Sequence, residues 1–398
     1  MKIISIYSAL VISLLTVASS LAQTSEAELQ SWLDLYLETG DVFFRNSISE
    51  KAPGSRYEDF CKAWQLLDVD NKTGVILARQ LVKNYPDFPE SYFAVGTFLI
   101  NGFKKYDSAI VFLDRAIELN PDFAAAHFHR GIGRLNAKDY NGSYADFNKV
   151  LKLDRSYASA YVLRAVSNFY LENFDDIIGD IEIALQIDPY VLADLYYFQV
   201  RKTIDKALEL APDNVNLYYG RGYANFTSGY FRLAVNDFAQ ALELVPGNAE
   251  FYKLSGASKA WLKDIPGAES DLKLAMGINP DDPEIYYYLG VLFNDVVDQP
   301  SMGYEYFTTA IELDPWEPDY LYERAWCLYE LGDYEFAMED LEQAMEMNNT
   351  NGDYYTLRGY LVLYGDLETE YNYCQDFRRA EELGTTYKLQ NLIKKNCE

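Results

Sequence analysis

Proline, or a residue standing in its place, recurs along this chain at nearly constant spacing: Pro86, Pro121, Arg155, Pro189, Pro212, Pro246, Pro280, Pro315 and Asn349. The eight intervals are 35, 34, 34, 23, 34, 34, 35 and 34 residues. A fixed period of this length implies a stack of one supersecondary unit, each copy unable to bury its apolar face alone. Growth by stacking also overrides the two or three globular domains that 398 residues would otherwise suggest.

Within each interval the apolar residues take helical spacing. Tyr218-Tyr219-Gly220-Arg221-Gly222-Tyr223-Ala224 is followed by a turn at Ser228-Gly229, and then by Leu233-Ala234, Phe238 and Ala241-Leu242. Two helices of about a dozen residues, joined by a short turn and stopped by proline, fill one period. Small residues recur where the two helices approach: Gly96, Gly131, Ala165, Gly222, Gly256, Gly290, Ala325 and Gly359 in the first. In the second they are Ala116, Ala184, Ala207, Ala241, Ala275, Ala310, Ala344 and Ala380, with Val150 the exception. A charge pattern accompanies them. Where arginine precedes the small residue of the first helix, aspartate stands in the second: Arg130 with Asp146, Arg164 with Asp180, Arg221 with Asp237, Arg324 with Asp340 and Arg358 with Asp376. Where that residue is apolar, so is its partner, as in Val95 with Phe112 and Leu289 with Tyr306. Ser255 opposite Asp271 breaks the rule. The pattern predicts a structural ion pair inside each such hairpin.

The segment from Leu217-Tyr218-Tyr219-Gly220-Arg221-Gly222 through Ala241-Leu242-Glu243-Leu244-Val245-Pro246 resembles a near-complete unit of the tetratricopeptide repeat (TPR) family, and similar units cover residues 87–384. The resemblance implies an all-α fold, a right-handed alpha-alpha superhelix (TPR solenoid), whose first helices line a concave groove. Carried onto this sequence, the groove positions are Phe128, Ile132, Val166, Phe169, Tyr219, Tyr223, Phe226, Tyr287, Tyr322, Trp326, Tyr329 and Tyr360. Such a face is aromatic, suited to a peptide or protein segment, with stacking on sugar rings as the rival use of the same chemistry. The basic clamp that the family uses for acidic peptide tails is not apparent, because the corresponding positions are aromatic or aliphatic. The expected layout is an N-terminal helical cap or linker over residues 23–53 and a degenerate hairpin over 54–86. A first array follows over 87–189, an irregular repeat over 190–212, a second array over 213–384 and a capping helix over 385–398. The 23-residue interval holds no glycine or proline between its two marks, which predicts one long helix or a distorted pair.

The first 22 residues differ from the rest. Lys2 precedes an apolar run over residues 3–18, and small residues follow at Ser20 and Ala22. This reads as a secretory signal cleaved after Ala22, with an uncleaved N-terminal anchor as the alternative. The expected location is therefore export, to a periplasm or the exterior, with no membrane span left after cleavage. Four cysteines in an exported chain raise disulfides. Cys374 and Cys397 flank Gly384, ~15 and ~20 Å of helix away from it, so a turn there would let them pair. Cys61 and Cys327 are expected to be free and buried. If the source is a eukaryote, Asn71, Asn141, Asn225 and Asn348 stand in glycosylation sequons.

Formal net charge is −27, or −28 without residues 1–22, whose one charge is Lys2. Such a balance repels phosphate, which excludes nucleic acid as a partner. Catalysis lacks a recognisable constellation. His127 and His129, two apart on one helix, point to different sides and read as packing or surface residues. Asp68-Val69-Asp70-Asn71-Lys72-Thr73-Gly74 resembles a calcium loop, but lysine sits where an oxygen ligand belongs and the closing glutamate is missing. Gly131-Ile132-Gly133 lacks the strand that a phosphate loop needs. The expectation is a non-enzymatic scaffold or adaptor for another exported or envelope protein, without cofactor or metal. The alternative is a glycan-binding accessory protein.

Overall fold

A computed structural model describes residues 25–39, 42–67, 69–194, 198–365, 367 and 369–397. The leader read over residues 1–22 lies outside them. Two compact units divide the chain, one ending at Asp180 and the other beginning at Ile181.

Among the described residues all regular structure is helical. Unit 1 opens with α1 (Glu26–Thr39) and α2 (Val42–Lys51), where the cap or linker is expected, and α3 (Arg56–Trp64) with α4 (Asn71–Asn84), where the degenerate hairpin is expected. The regular hairpins are α5 (Pro89–Asn101) with α6 (Tyr106–Leu119), then α7 (Ala124–Asn136) with α8 (Tyr140–Leu153), followed by α9 (Ala158–Tyr170). Helix α10 (Ile177–Ile187) contains the division between the units. In unit 2 come α11 (Val191–Asp194), α12 (Phe198–Leu210), α13 (Val215–Thr227), α14 (Phe231–Leu244), α15 (Ala249–Trp261) and α16 (Ile265–Ile278). They are followed by α17 (Pro283–Val291), α18 (Pro300–Leu313), α19 (Pro318–Leu331), α20 (Tyr334–Met347), α21 (Gly352–Tyr364), α22 (Tyr373–Leu383) and α23 (Gln390–Asn396). Within the irregular interval the structure describes α11 and α12, and residues 195–197 between them lie outside the described residues.

The proline beat has a local cause. The residue before Pro121, Pro246, Pro280 and Pro315 closes the second helix with its N–H on the carbonyl of Ala116, Ala241, Ala275 or Ala310. Proline then cannot continue the helix. Those alanines are fully buried. The small first-helix residues lie against large side chains of the second helix. A Cβ on Gly131 would stand 2.8 Å from the Phe147 ring, and one on Gly222 2.8 Å from the Phe238 ring.

Each of the five predicted ion pairs forms. The Nη2–Oδ1 distances are 2.5 Å for Arg130–Asp146, 2.6 Å for Arg164–Asp180, 2.5 Å for Arg221–Asp237, 2.7 Å for Arg324–Asp340 and 2.6 Å for Arg358–Asp376. Ser255 is not an empty position either. Its hydroxyl donates to Asp271 at 2.6 Å, and Lys259, one turn along, supplies the cation at 2.5 Å. The arginines also reach backward, sixteen residues up the chain into the preceding hairpin. Arg130 Nη1 donates to Asp114, Arg164 to Asn148, Arg221 to Asp205 and Arg324 to Thr308, at 2.8, 2.9, 2.7 and 3.3 Å. One planar guanidinium therefore ties two consecutive second helices, using donors that point in different directions.

The two 35-residue intervals absorb their extra residue differently. Between α5 and α6 the loop lengthens, and Lys105 N–H returns to Leu99. After α17 the helix instead widens into a π turn over Leu292–Val296, and Gln299 N–H returns to Phe293.

Candidate aromatic face and acidic cavity

In unit 1, Phe128 is nearly buried, packed against Tyr157 at 4.8 Å and Phe147 at 5.8 Å between ring centroids, and Val166 is fully buried. Neither lines an open groove, which corrects the expectation for these two. Both have their surface taken by neighbouring helices. Ile132 is half-buried against the unit 1 core. Phe169, half-buried too, meets Tyr170 and Phe174. His127 and His129 are packing residues as read: His127 bridges Asp146 and the Pro121 carbonyl, and His129 stands edge-on to Phe93.

Unit 2 carries the larger aromatic surface, in two patches. In the first, Tyr219, Tyr223 and Phe226 on α13 are half-buried. Tyr190 lies 4.6 Å from Tyr223, and Tyr288 on α17 lies 6.1 Å from Phe226. Beside it sits Lys253, only 3% exposed, its ammonium within 2.7 Å of Glu250, 3.1 Å of Asp282 and 2.5 Å of Glu284. Burial opposes its charge, but the three carboxylates more than compensate and hold its pKa above the ordinary lysine value. Tyr287 turns away from this patch, toward Phe307 and Tyr320.

The second patch has Trp326 as its hub. Its ring lies 5.5 Å from Tyr329, 6.0 Å from Tyr360, 5.7 Å from Tyr387 and 6.4 Å from Tyr322. The structure thus brings together four residues expected on a groove, Tyr322, Trp326, Tyr329 and Tyr360, from α19 and α21. Tyr322 is nearly buried, while the other three are half-buried. Tyr387 was not expected. It arrives from the segment before α23, which Cys374 and Cys397 pin to α22 through a disulfide with Cα atoms 5.6 Å apart. Cys61 and Cys327 are free and buried, and burial pushes the Cys61 thiol up to about 12.

Against this patch opens a cavity of about 460 Å³. Asp295 enters it from the π turn, Glu323 and Glu330 from α19, and Asp353 from α21. Burial pushes the Glu323 carboxyl up to about 8, and Asp295, Asp319 and Asp353 reinforce the shift by repulsion. Sequence reasoning passed over these acids because carboxylates are abundant all along the chain. The usable signal was the 35-residue interval ending at Pro315, which marks the inserted residue and with it the π turn.

The hairpins and their register define the fold class, an all-α solenoid of TPR-like units. Residues 318–351, which form α19 and α20, match the tetratricopeptide repeat family. Over 158 residues the chain is 27% identical to human tetratricopeptide repeat protein 16, spanning 38% of this chain and 18% of that protein. Over 315 residues it is 23% identical to the human mitochondrial import receptor subunit TOM70, spanning 73% of this chain and 48% of that protein. The chain thus spans less than half the length of either relative. Among solved structures, the Cut9 and Hcn1 hetero-tetramer of APC/C aligns with a TM-score of 0.45 at 15% identity, over 97% of this chain and 98% of that one. Yeast Tom70 aligns with a TM-score of 0.39 at 16% identity, over 92% and 96% of the two chains.

Proposed function

We propose that this chain is an exported, non-enzymatic scaffold that holds a segment of another protein across the Trp326 face. The carrying observation is the run of rings from Tyr322 through Trp326, Tyr329 and Tyr360 to Tyr387, drawn from α19, α21 and the segment before α23 and left partly open. Aromatic side chains supply contact area and a polar edge together, the combination that dominates protein interfaces. That a relative is named as an import receptor subunit agrees with protein binding. No helix among the described residues is long and apolar enough to cross a membrane. Export is supported by the leader pattern and by the Cys374–Cys397 disulfide, a bond that persists in oxidising compartments. Mature protein should begin at Gln23, which N-terminal sequencing of the native material checks.

The binding reading is tested with a photo-crosslinking residue at Tyr329 in cells of the source organism. One discrete protein adduct, lost on Trp326→Ala with the helical circular dichroism unchanged, is the expected result. Adducts to polysaccharide alone would favour the glycan reading and sink this one.

A further inference from the structure

The cavity beside Trp326 holds more negative charge than the fold uses. Asp353 is engaged, accepting from the Thr385 hydroxyl at 2.6 Å and from the Thr386 N–H at 2.7 Å, which docks the final segment. Asp319 accepts from the Tyr354 hydroxyl at 2.6 Å. Glu323 and Glu330 have no such partner among the described residues. Among the described residues no lysine, arginine or histidine lines the cavity. Asn294, on the π turn, is an independent sign of an absent ligand. It is only 6% exposed, and its Nδ2 donates to Asp295 at 2.9 Å. Its Oδ1 is buried without a donor. A buried acceptor left unpaired is costly, and π turns are frequent where function requires a local widening of a helix.

The missing partner must donate hydrogen bonds and carry positive charge. Among the described residues no cluster has the composition and spacing to hold a metal ion. An organic cation fits better, because the Trp326 and Tyr387 rings offer faces to a cation and an apolar wall to the methylenes that carry it. We propose that this cavity receives a cationic side chain, the guanidinium of arginine or the ammonium of lysine, from the segment held on the Trp326 face. The proposal rests on the scaffold reading above and deepens it. One N–H of the incoming group satisfies Asn294 Oδ1 while Glu323 and Asp295 balance its charge. Glu323 is faced by Asp295 from the π turn, by Asp319 and Glu330 from its own helix, by Asp353 from α21, and by the Tyr322 and Tyr387 hydroxyl groups. A cation among these groups favours the ionised carboxylate, so binding releases a proton near neutral pH and tightens as pH rises toward 8.

The test uses the mature chain with indole-labelled tryptophan, the Trp326 resonance being assigned with Trp326→Phe. Capped Gly-Arg-Gly and Gly-Lys-Gly peptides are titrated against the isosteric citrulline peptide and against 1,4-diaminobutane. The expected result is a saturable Trp326 shift with the arginine or lysine peptide, weakened about tenfold for citrulline and about tenfold by Glu323→Gln. Asp295→Asn, at an exposed position, should weaken it in the same direction and serves if Glu323→Gln fails to fold. The proposal is overturned by no saturation up to about 50 mM of both peptides, by equal binding of citrulline, by undiminished binding in the variants, or by binding of the diamine alone. If the peptides fail while the Tyr329 crosslink persists, the scaffold stands and the cationic pocket falls. If the peptides bind and no protein adduct forms, the pocket chemistry holds and the scaffold reading falls.

Discussion

Removing Arg221 should destabilise unit 2 far more than removing a surface arginine. Its Nε donates to both Asp237 oxygens at 3.1 Å, its Nη2 to Oδ1 at 2.5 Å, and its Nη1 to Asp205 at 2.7 Å. The two partners differ in burial. Asp237 is 4% exposed as a residue, whereas the Asp205 side chain is 44% exposed. The half-exposed pair is worth about 0.2–1 kcal/mol, but stripping the buried carboxylate of its cation costs about 3–5 kcal/mol. Arg221→Ala should therefore lose about 3–5 kcal/mol at pH 7 in urea unfolding followed by circular dichroism. A pH series separates this from lost packing. Burial already pushes the Asp237 carboxyl up, and without Arg221 that push is unopposed by its nearest cation. The orphaned carboxyl should take up a proton readily, so the deficit shrinks at pH 4. Arg221→Leu combined with Asp237→Leu should be within about 1 kcal/mol of wild type, since an apolar pair needs no compensation. A loss below about 0.5 kcal/mol for Arg221→Ala, the range of an ordinary surface change, would refute the reasoning.

Glu323→Gln should change the pH dependence of stability. The carboxyl sits at about 8 in the folded chain against an ordinary value of 4.5, so the folded state holds the extra proton between these values. Stability from this group is then present below pH 4.5 and falls as pH rises through 8, a slope that thermal melts should lose in the variant. Cys374→Ser with Cys397→Ser opens a crosslink of sequence separation 23. By the chain-entropy relation it should cost about 3 kcal/mol, localised by hydrogen exchange to α22 and α23. Gly222→Ala places a methyl 2.8 Å from the Phe238 ring and should cost about 1–3 kcal/mol in the same urea assay. Treatment with a glycosyltransferase should leave Asn225 unmodified in folded protein, because it is 2% exposed and donates to Asp237 at 2.9 Å.

The fold was legible because its determinants are short-range and periodic. Proline marks, small residues and the arginine–aspartate spacing all lie within one hairpin, where helix packing holds a constant register. The backward reach of the same arginines was not legible. Its acceptors are a carboxylate in Asp114 and Asp205, an amide in Asn148 and a hydroxyl in Thr308, so no single residue type marks the position in every repeat. Four of the named aromatics meet on α19 and α21, whereas Phe128 and Val166 are covered by neighbouring side chains. A helical position says which side a residue faces but not whether a neighbour covers it.

Sequence alone determined that this chain is a stack of helical hairpins with paired charges between the two helices, because each of those features repeats within about 34 residues. Only the tertiary structure decided where the stack stays open. The extra residue before Pro315 could have lengthened a loop, as it does before Pro121, but it widened α17 and brought Asn294 and Asp295 to the Trp326 cavity. Tyr387 reaches the same place from a different element, held by a disulfide and by Asp353. Such convergence depends on side chains distant in sequence, whose mutual fit no local period encodes.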